Sequence, residues 1–312
     1  MQLFQFIIDD MQFDKIIKEA KKVIKGQDEI IKAVLTAIVA DGHVLLEGPT
    51  GVGKTTFVLT FAKIFGLSFR RIQFTSDVLP SDILGTNIYN LKTGNFEFRP
   101  GPIFANFVLV DEINRASPKT QSALIEVMEE RQVTIEGKTY ELEKPFIVFA
   151  TQNPMDYAGT FPLPITQTDR FLMKINIDYP SKEIEQEILK TGDPRELIPY
   201  LNQQMTKDEL LKIQQEVAKV TVDDSIIDYI SEIVISTRNN PSIKEGLSSR
   251  ASIHLLKCAR AKAIIEGRNY VIPEDVKEIF PYIASHRVIC DIPECDVSIF
   301  LKDFIEKIPV PR

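Results

Sequence analysis

Across residues 15–40 apolar side chains recur at helical spacing, with Ile24, Ile30, Ile31, Val34, Leu35 and Ile38 among them, and Lys25-Gly26-Gln27 divides the stretch into two predicted amphipathic helices. The period then breaks. Residues 43–47 form a short apolar run with no helical repeat, a glycine-rich turn occupies residues 48–53, and a helical pattern resumes over residues 54–65. Four further short runs, residues 69–74, 107–111, 146–151 and 172–177, are rich in β-branched and aromatic side chains and read as strands. Ser117 as N-cap with Pro118 at the first helical position opens a helix through Met128. Strands alternating with helices predict an α/β unit, a parallel sheet with helices on both faces.

Two segments interrupt that plan. Residues 132–142 alternate Val133, Ile135 and Tyr140 about Glu136-Gly137-Lys138, and residues 85–98 turn at Lys92-Thr93-Gly94, so both read as β-hairpins projecting from the sheet. From Tyr179-Pro180 onward the pattern is helical only. Thr206 and Glu209 form a capping box, Asp223 starts a helix through Ser236, residues 248–266 form another stopped by Gly267, and Pro273 opens a last one. Two domains are expected, an α/β domain over residues 1–180 and an all-α lid over residues 181–312.

Composition narrows the class of protein. The chain has 312 residues, 44% of them hydrophobic, enough for a core without metal or disulfide support. Cys258, Cys290 and Cys295 are odd in number and lack CxxC spacing, so neither a disulfide framework nor a zinc ribbon is expected, and all three read as structural thiols in a reducing compartment. Residues 1–13 lack a basic leader and carry Asp9 and Asp10, unlike a signal peptide, and no apolar run is long enough for a membrane span. A cytoplasmic protein is expected. Its 37 basic and 44 acidic residues give a net charge of −7, which disfavours broad binding to nucleic acid.

The turn after the first strand carries chemistry. Gly48-Pro49-Thr50-Gly51-Val52-Gly53-Lys54-Thr55 satisfies G-x-x-x-x-G-K-[ST] at every fixed position, between a strand and a helix, with Thr56 next in line. Such a loop aims backbone N–H groups at phosphate oxygens, reinforced by the helix N-terminus. Lys54 is expected to neutralise the β- and γ-phosphates of ATP, and the Thr55 hydroxyl to ligate Mg²⁺. The apolar strand Phe107–Asp111 ends in Asp111-Glu112, adjacent carboxylates that are costly to bury without a cation. Asp111 is assigned to the metal, directly or through water, and Glu112 to orienting and deprotonating the attacking water.

With Asn153 in Ala-Thr-Gln-Asn-Pro (150–154) and Asp169-Arg170-Phe171, these motifs resemble an AAA+ ATPase. More narrowly, the glycine loop, Asp-Glu-Ile-Asn-Arg-Ala (111–116), Gln-Ser-Ala-Leu (121–124), Met-Glu-Glu-Arg-Gln-Val-Thr (128–134) and Phe-Ala-Thr-Gln-Asn-Pro (149–154) resemble the MoxR family. The resemblance continues through Leu-Ser-Ser-Arg-Ala (247–251) and residues 270–276 of the lid. It implies that Asn153 is the sensor-1 residue, that Arg170 is an arginine finger supplied to a neighbouring subunit, and that Arg250 is sensor 2, reading its own or a neighbour's γ-phosphate. Gly26 and Gln27 match the family segment near the adenine. The two hairpins correspond to its helix-2 insert and pre-sensor hairpin, which press on a client or pack between subunits. It further implies a homo-oligomeric ring, hexameric, a partner with a von Willebrand A domain, and chaperone-like remodelling of a client complex. Two rivals share the same phosphate site: a nucleic-acid motor or loader, disfavoured by the acidic balance, and a nucleotide-gated binding module, disfavoured because pure binding needs neither Glu112 nor Asn153.

Overall fold

The computed structural model describes residues 10–153, 159–291 and 296–311. The elements run α1 (Asp10–Ala20), α2 (Asp28–Val39), β1 (Val44–Glu47), α3 (Lys54–Phe65), β2 (Phe69–Gln73), α4 (Pro80–Leu84), β3 (Gly85–Asn90), β4 (Asn95–Pro100) and β5 (Phe107–Asp111). They continue with a 3₁₀ turn (Ile113–Arg115), α5 (Pro118–Glu130), β6 (Gln132–Ile135), β7 (Lys138–Glu141), β8 (Ile147–Gln152), α6 (Ile165–Thr168) and β9 (Met173–Asn176). The second half holds α7 (Lys182–Thr191), a 3₁₀ segment (Pro194–Tyr200), α8 (Lys207–Val217), α9 (Asp224–Asn239), β10 (Ile243–Glu245), α10 (Ser249–Ile265), α11 (Pro273–Ala284), β11 (Ile289–Cys290) and α12 (Val297–Glu306).

Five strands form one parallel sheet in the order β2-β5-β8-β1-β9. Successive side chains of a strand point to opposite faces. Leu109 and Phe149 accordingly join one buried cluster, while Val108, Val110, Val148 and Ala150 join the other. Burial on both faces explains why these strands read as continuous apolar runs rather than as alternation. Because the strands are parallel, the ends of β1, β5 and β8 emerge side by side at one edge of the sheet. That edge carries the phosphate loop, the acidic pair and Asn153.

The two hairpins form as expected, and they pack on each other. Glu136 and Gly137 both adopt positive φ, the geometry a two-residue hairpin turn needs. Phe98 stacks on Tyr140 with ring centroids 4.0 Å apart, and Asn87 donates to Glu136 across 2.6 Å. Each insertion thus supports the other, a contact no local pattern announces.

The helical second half needs two corrections. Ile243–Glu245 and Ile289–Cys290 pair as a short antiparallel ladder, so this half is not helix alone. The helix opened by Pro273 is also not the last, since α12 follows it. Strands of two or three residues are too short to show a period. The apolar core of this half is continuous with that of the sheet: Ile31, Leu35 and Ile38 of α2 share one cluster with Leu210 of α8, Leu255 of α10 and Ile283 of α11. Residue 180 lies between β9 and α7.

Cys258 is buried, with its thiol pushed up to about 12 by desolvation, and Cys290 is half-buried; Cys295 lies outside the described residues. Among the described residues no His, Cys, Asp or Glu group could hold a metal by side chains alone, and no helix is long and apolar enough to cross a membrane.

Candidate active site

The phosphate loop is built on three glycines with positive φ: Gly48 (153°), Gly51 (88°) and Gly53 (90°). At Gly48 a side chain is also excluded by space, because a Cβ there would lie 2.1 Å from the Ile177 carbonyl oxygen on the neighbouring strand's exit. The turn delivers Lys54 to the first position of α3, followed by Thr55 and Thr56. Lys54 Nζ donates to the carbonyl oxygens of Gly48 and Pro49 at 2.6 and 2.8 Å, holding the ammonium over the loop. Desolvation pulls its pKa down, opposed by the carboxylates of Asp111, Glu112 and Glu47. Gly48 and Pro49 therefore support the lysine, whereas residues 50–56 line the adjoining cavity.

Asp111 and Glu112 end β5 in different ways. Asp111 is buried, and its Oδ2 accepts from Arg71 Nε at 2.5 Å while its Oδ1 accepts from the Thr151 hydroxyl at 3.1 Å. The same hydroxyl accepts from the Glu112 N–H at 2.9 Å, so one oxygen of β8 fixes both acidic residues. Glu112 takes the left-handed conformation, φ 57° and ψ 53°, which costs a non-glycine residue roughly 1 kcal/mol or more. Its side chain accepts from Gln73 Nε2 and from Arg115 Nε, each at 2.9 Å. Arg115, which no motif assigned a role, is thus a partner of the second carboxylate.

A cavity of about 730 Å³ joins these groups. Lys54, Thr55, Asp111, Glu112 and Asn153 give it polar lining and Ile24, Ile184, Ile188 and Pro194 apolar lining, with Lys25, Glu185, Asp193 and Arg195 also on its walls. Gln27 also lines it, and its side-chain oxygen is buried with no hydrogen-bond partner. Gly26, φ 67°, works differently: a Cβ there would lie 2.6 Å from the Ile184 side chain, so its bareness lets α7 close the wall.

Two expected site residues are elsewhere. Neither Arg170 nor Arg250 lines the cavity of its own chain. Both instead meet Glu129, at 2.5 and 3.0 Å. The neighbouring Asp169 is paired with Arg287 at 2.6 Å. Sequence reasoning missed Arg71, Gln73, Thr151 and Glu129. Only Arg71 left a local signal, as an arginine inside an otherwise β-forming run.

Residues 43–173 match the ATPase family associated with various cellular activities (AAA), and residues 235–306 match the AAA lid domain. The chain is 49% identical to the Bacillus subtilis protein YeaC, over 88% of this chain and 86% of that one. It is 44% identical to Chaperone MoxR1 of Mycobacterium tuberculosis, over 88% of this chain and 75% of that one. It is 30% identical to Protein MoxR of Methylorubrum extorquens, over 88% and 86%. A crystal structure of a Cytophaga hutchinsonii protein proposed to be an ATPase superposes with a TM-score of 0.87 at 40% identity, covering 97% of this chain and 96% of that one.

Proposed function

This chain belongs to the MoxR family of AAA+ ATPases, and we propose that it binds and hydrolyses ATP in the cavity beside Lys54 and couples turnover to chaperone-like remodelling of a client protein complex. The observation that carries this reading is the convergence of Lys54, Thr55, Asp111, Glu112 and Asn153, from the ends of three adjacent parallel strands, on one cavity. Lys54, Thr55 and Asp111 suit a magnesium-bound triphosphate, and Glu112 with Asn153 adds what hydrolysis needs beyond binding.

The residues fit the ligand. Backbone N–H groups of residues 50–55 and the Lys54 ammonium suit the phosphates, and Lys54 would exchange its two loop carbonyls for phosphate oxygens. Gln27, with its orphaned buried oxygen, would accept from the adenine amino group, against the apolar wall of Ile184 and Ile188. Thr55 and Asp111 would hold Mg²⁺, which when bound supplies charge neutralisation at the β- and γ-phosphates. Glu112 would orient the attacking water and take its proton, and Asn153 would hydrogen-bond the γ-phosphate or that water.

Arg170 lies outside its own cavity, which supports its action on a neighbouring subunit and so a closed ring, taken as hexameric. Residues 1–180 would then be the nucleotide-binding domain and residues 181–312 the lid, moving with the nucleotide state. A von Willebrand A domain partner and the client rest on the family resemblance alone, and a cytoplasmic setting on the reading of the cysteines as free thiols.

Calorimetric titration with Mg·ATP, followed by turnover assays, tests the reading. Lys54→Ala is expected to lose nucleotide binding, and Glu112→Gln to bind ATP without turning it over. Absence of any adenine-nucleotide affinity in the wild type would sink it.

A further inference from the structure

Outside the cavity, one carboxylate serves two cations from different halves of the chain. Glu129, the penultimate residue of α5, accepts from Arg170 Nη1 through Oε2 at 2.5 Å and from Arg250 Nη2 through Oε1 at 3.0 Å. Arg170 sits in the link between α6 and β9, and Arg250 in the first turn of α10. The carboxylate is only partly exposed, at 33%. Each such pair is worth about 0–1 kcal/mol, so stability is a poor explanation for the arrangement. Geometry is a better one, because two guanidinium groups repel unless an anion is shared between them.

The backbone around Arg170 is held firmly. Arg287, buried at the end of α11, donates to the carbonyl oxygens of Asp169, Phe171 and Leu172, and its Nε binds the Asp169 carboxylate. The Asp169 carboxylate lies 3.9 Å from Arg250 as well. Three arginines thus face two carboxylates, leaving one net positive charge on the cluster.

We propose that Glu129 is a positioning residue that binds Arg170 and Arg250 into one cationic unit, presented to the nucleotide of the adjacent subunit. The inference rests on the reading that Arg170 acts in trans. Lid movement carries Arg250, and the shared carboxylate makes Arg170 respond to it, so finger placement becomes sensitive to lid position. Glu129 itself touches no nucleotide.

Subunit mixing tests this. Glu129→Ala alone is expected to lose about 100-fold in kcat, the cost of misplacing a catalytic group by roughly 1 Å, with KM for ATP within about twofold of wild type. Glu129→Asp, which keeps the charge, is expected to fall between the two. Glu129→Ala keeps an intact cavity, and Glu112→Gln keeps intact arginines. Rings mixed from these two inactive proteins are expected to regain turnover, about tenfold or more above the separate preparations. An Arg170→Ala mixture with Glu112→Gln runs in parallel. Recovery there but none with Glu129→Ala would mean Glu129 serves its own subunit, which overturns the inference and leaves the trans reading standing. Recovery in neither mixture would overturn the trans reading and the inference with it. If circular dichroism shows Glu129→Ala unfolded, the isosteric Glu129→Gln carries the same expectations.

Discussion

Gln73 donates its side-chain amide to the Glu112 carboxylate across 2.9 Å, from the strand that flanks β5 at the edge of the sheet. The residue proposed to activate water is therefore engaged by its own subunit through one oxygen, Oε2, which Gln73 and Arg115 share. Turning Oε2 toward a lytic water would break at least one of these two contacts.

Gln73→Ala is accordingly expected to raise basal ATP turnover by about two- to tenfold, the worth of one hydrogen bond to a charged group being roughly 1.5–3 kcal/mol and partly regained by water. Nucleotide affinity, measured by titration, is expected to stay constant. A drop in turnover would show that Gln73 orients the carboxylate for catalysis instead of restraining it.

Thr151→Val keeps the side-chain shape and removes the hydroxyl that joins Asp111 to the Glu112 N–H. The half-buried N–H then lacks its partner, a loss of about 1 kcal/mol in stability. Urea unfolding is expected to show a lower midpoint at an unchanged slope. Turnover falls with it, because both acidic residues lose a common anchor.

Gly48→Ala places a methyl group 2.1 Å from the Ile177 carbonyl oxygen at a φ of 153°. Backbone, not a flexible side chain, must move, so destabilisation of about 1–3 kcal/mol is expected. The phosphate loop shifts as well, and nucleotide affinity is expected to weaken about tenfold or more, some 1.4 kcal/mol. Gly51→Ala, which meets no atom within 4 Å, separates backbone strain from the clash.

His43 links the sheet to α5, accepting from the Val148 N–H through Nδ1 and so donating through Nε2 to the Met128 carbonyl. Burial depresses its pKa from 6.5 to about 4. Between those values the unfolded chain binds a proton that the folded chain refuses, so stability rises with pH across that window. The full contribution is present above pH 6.5 and is lost on acidification to pH 4, by about 3 kcal/mol. His254, whose pKa burial and Arg287 lower to about 3, adds in the same direction. Urea denaturation at pH 7.5 and pH 5 reads the difference, and equal midpoints would contradict it.

The chain by itself determined the parts whose causes are local. The glycine loop is legible because its tight turn between strand and helix needs glycines at positive φ, and α3 begins and ends where Gly53 and Gly66 turn left-handed. The five strands of the sheet, the cap at Ser117, the capping box of Thr206 with Glu209 and the turn at Glu136-Gly137 follow from period, capping and turn chemistry in the same way. Asp111 and Glu112 could be picked out because acidic groups at the end of a buried strand need a reason to be there, and Asn153 through the resemblance carried by residues 149–154.

What the tertiary structure alone decided is who meets whom across the sheet. Strand order puts β2 and β8 on either side of β5, and only that adjacency brings Arg71, Gln73 and Thr151 to the acidic pair from positions far apart in the chain. The same holds for Glu129, which joins Arg170 to Arg250, and for Phe98 stacked on Tyr140. A residue's spacing to its neighbours encodes helix, strand and turn, whereas these pairings depend on how whole elements pack, and no window of sequence contains both partners.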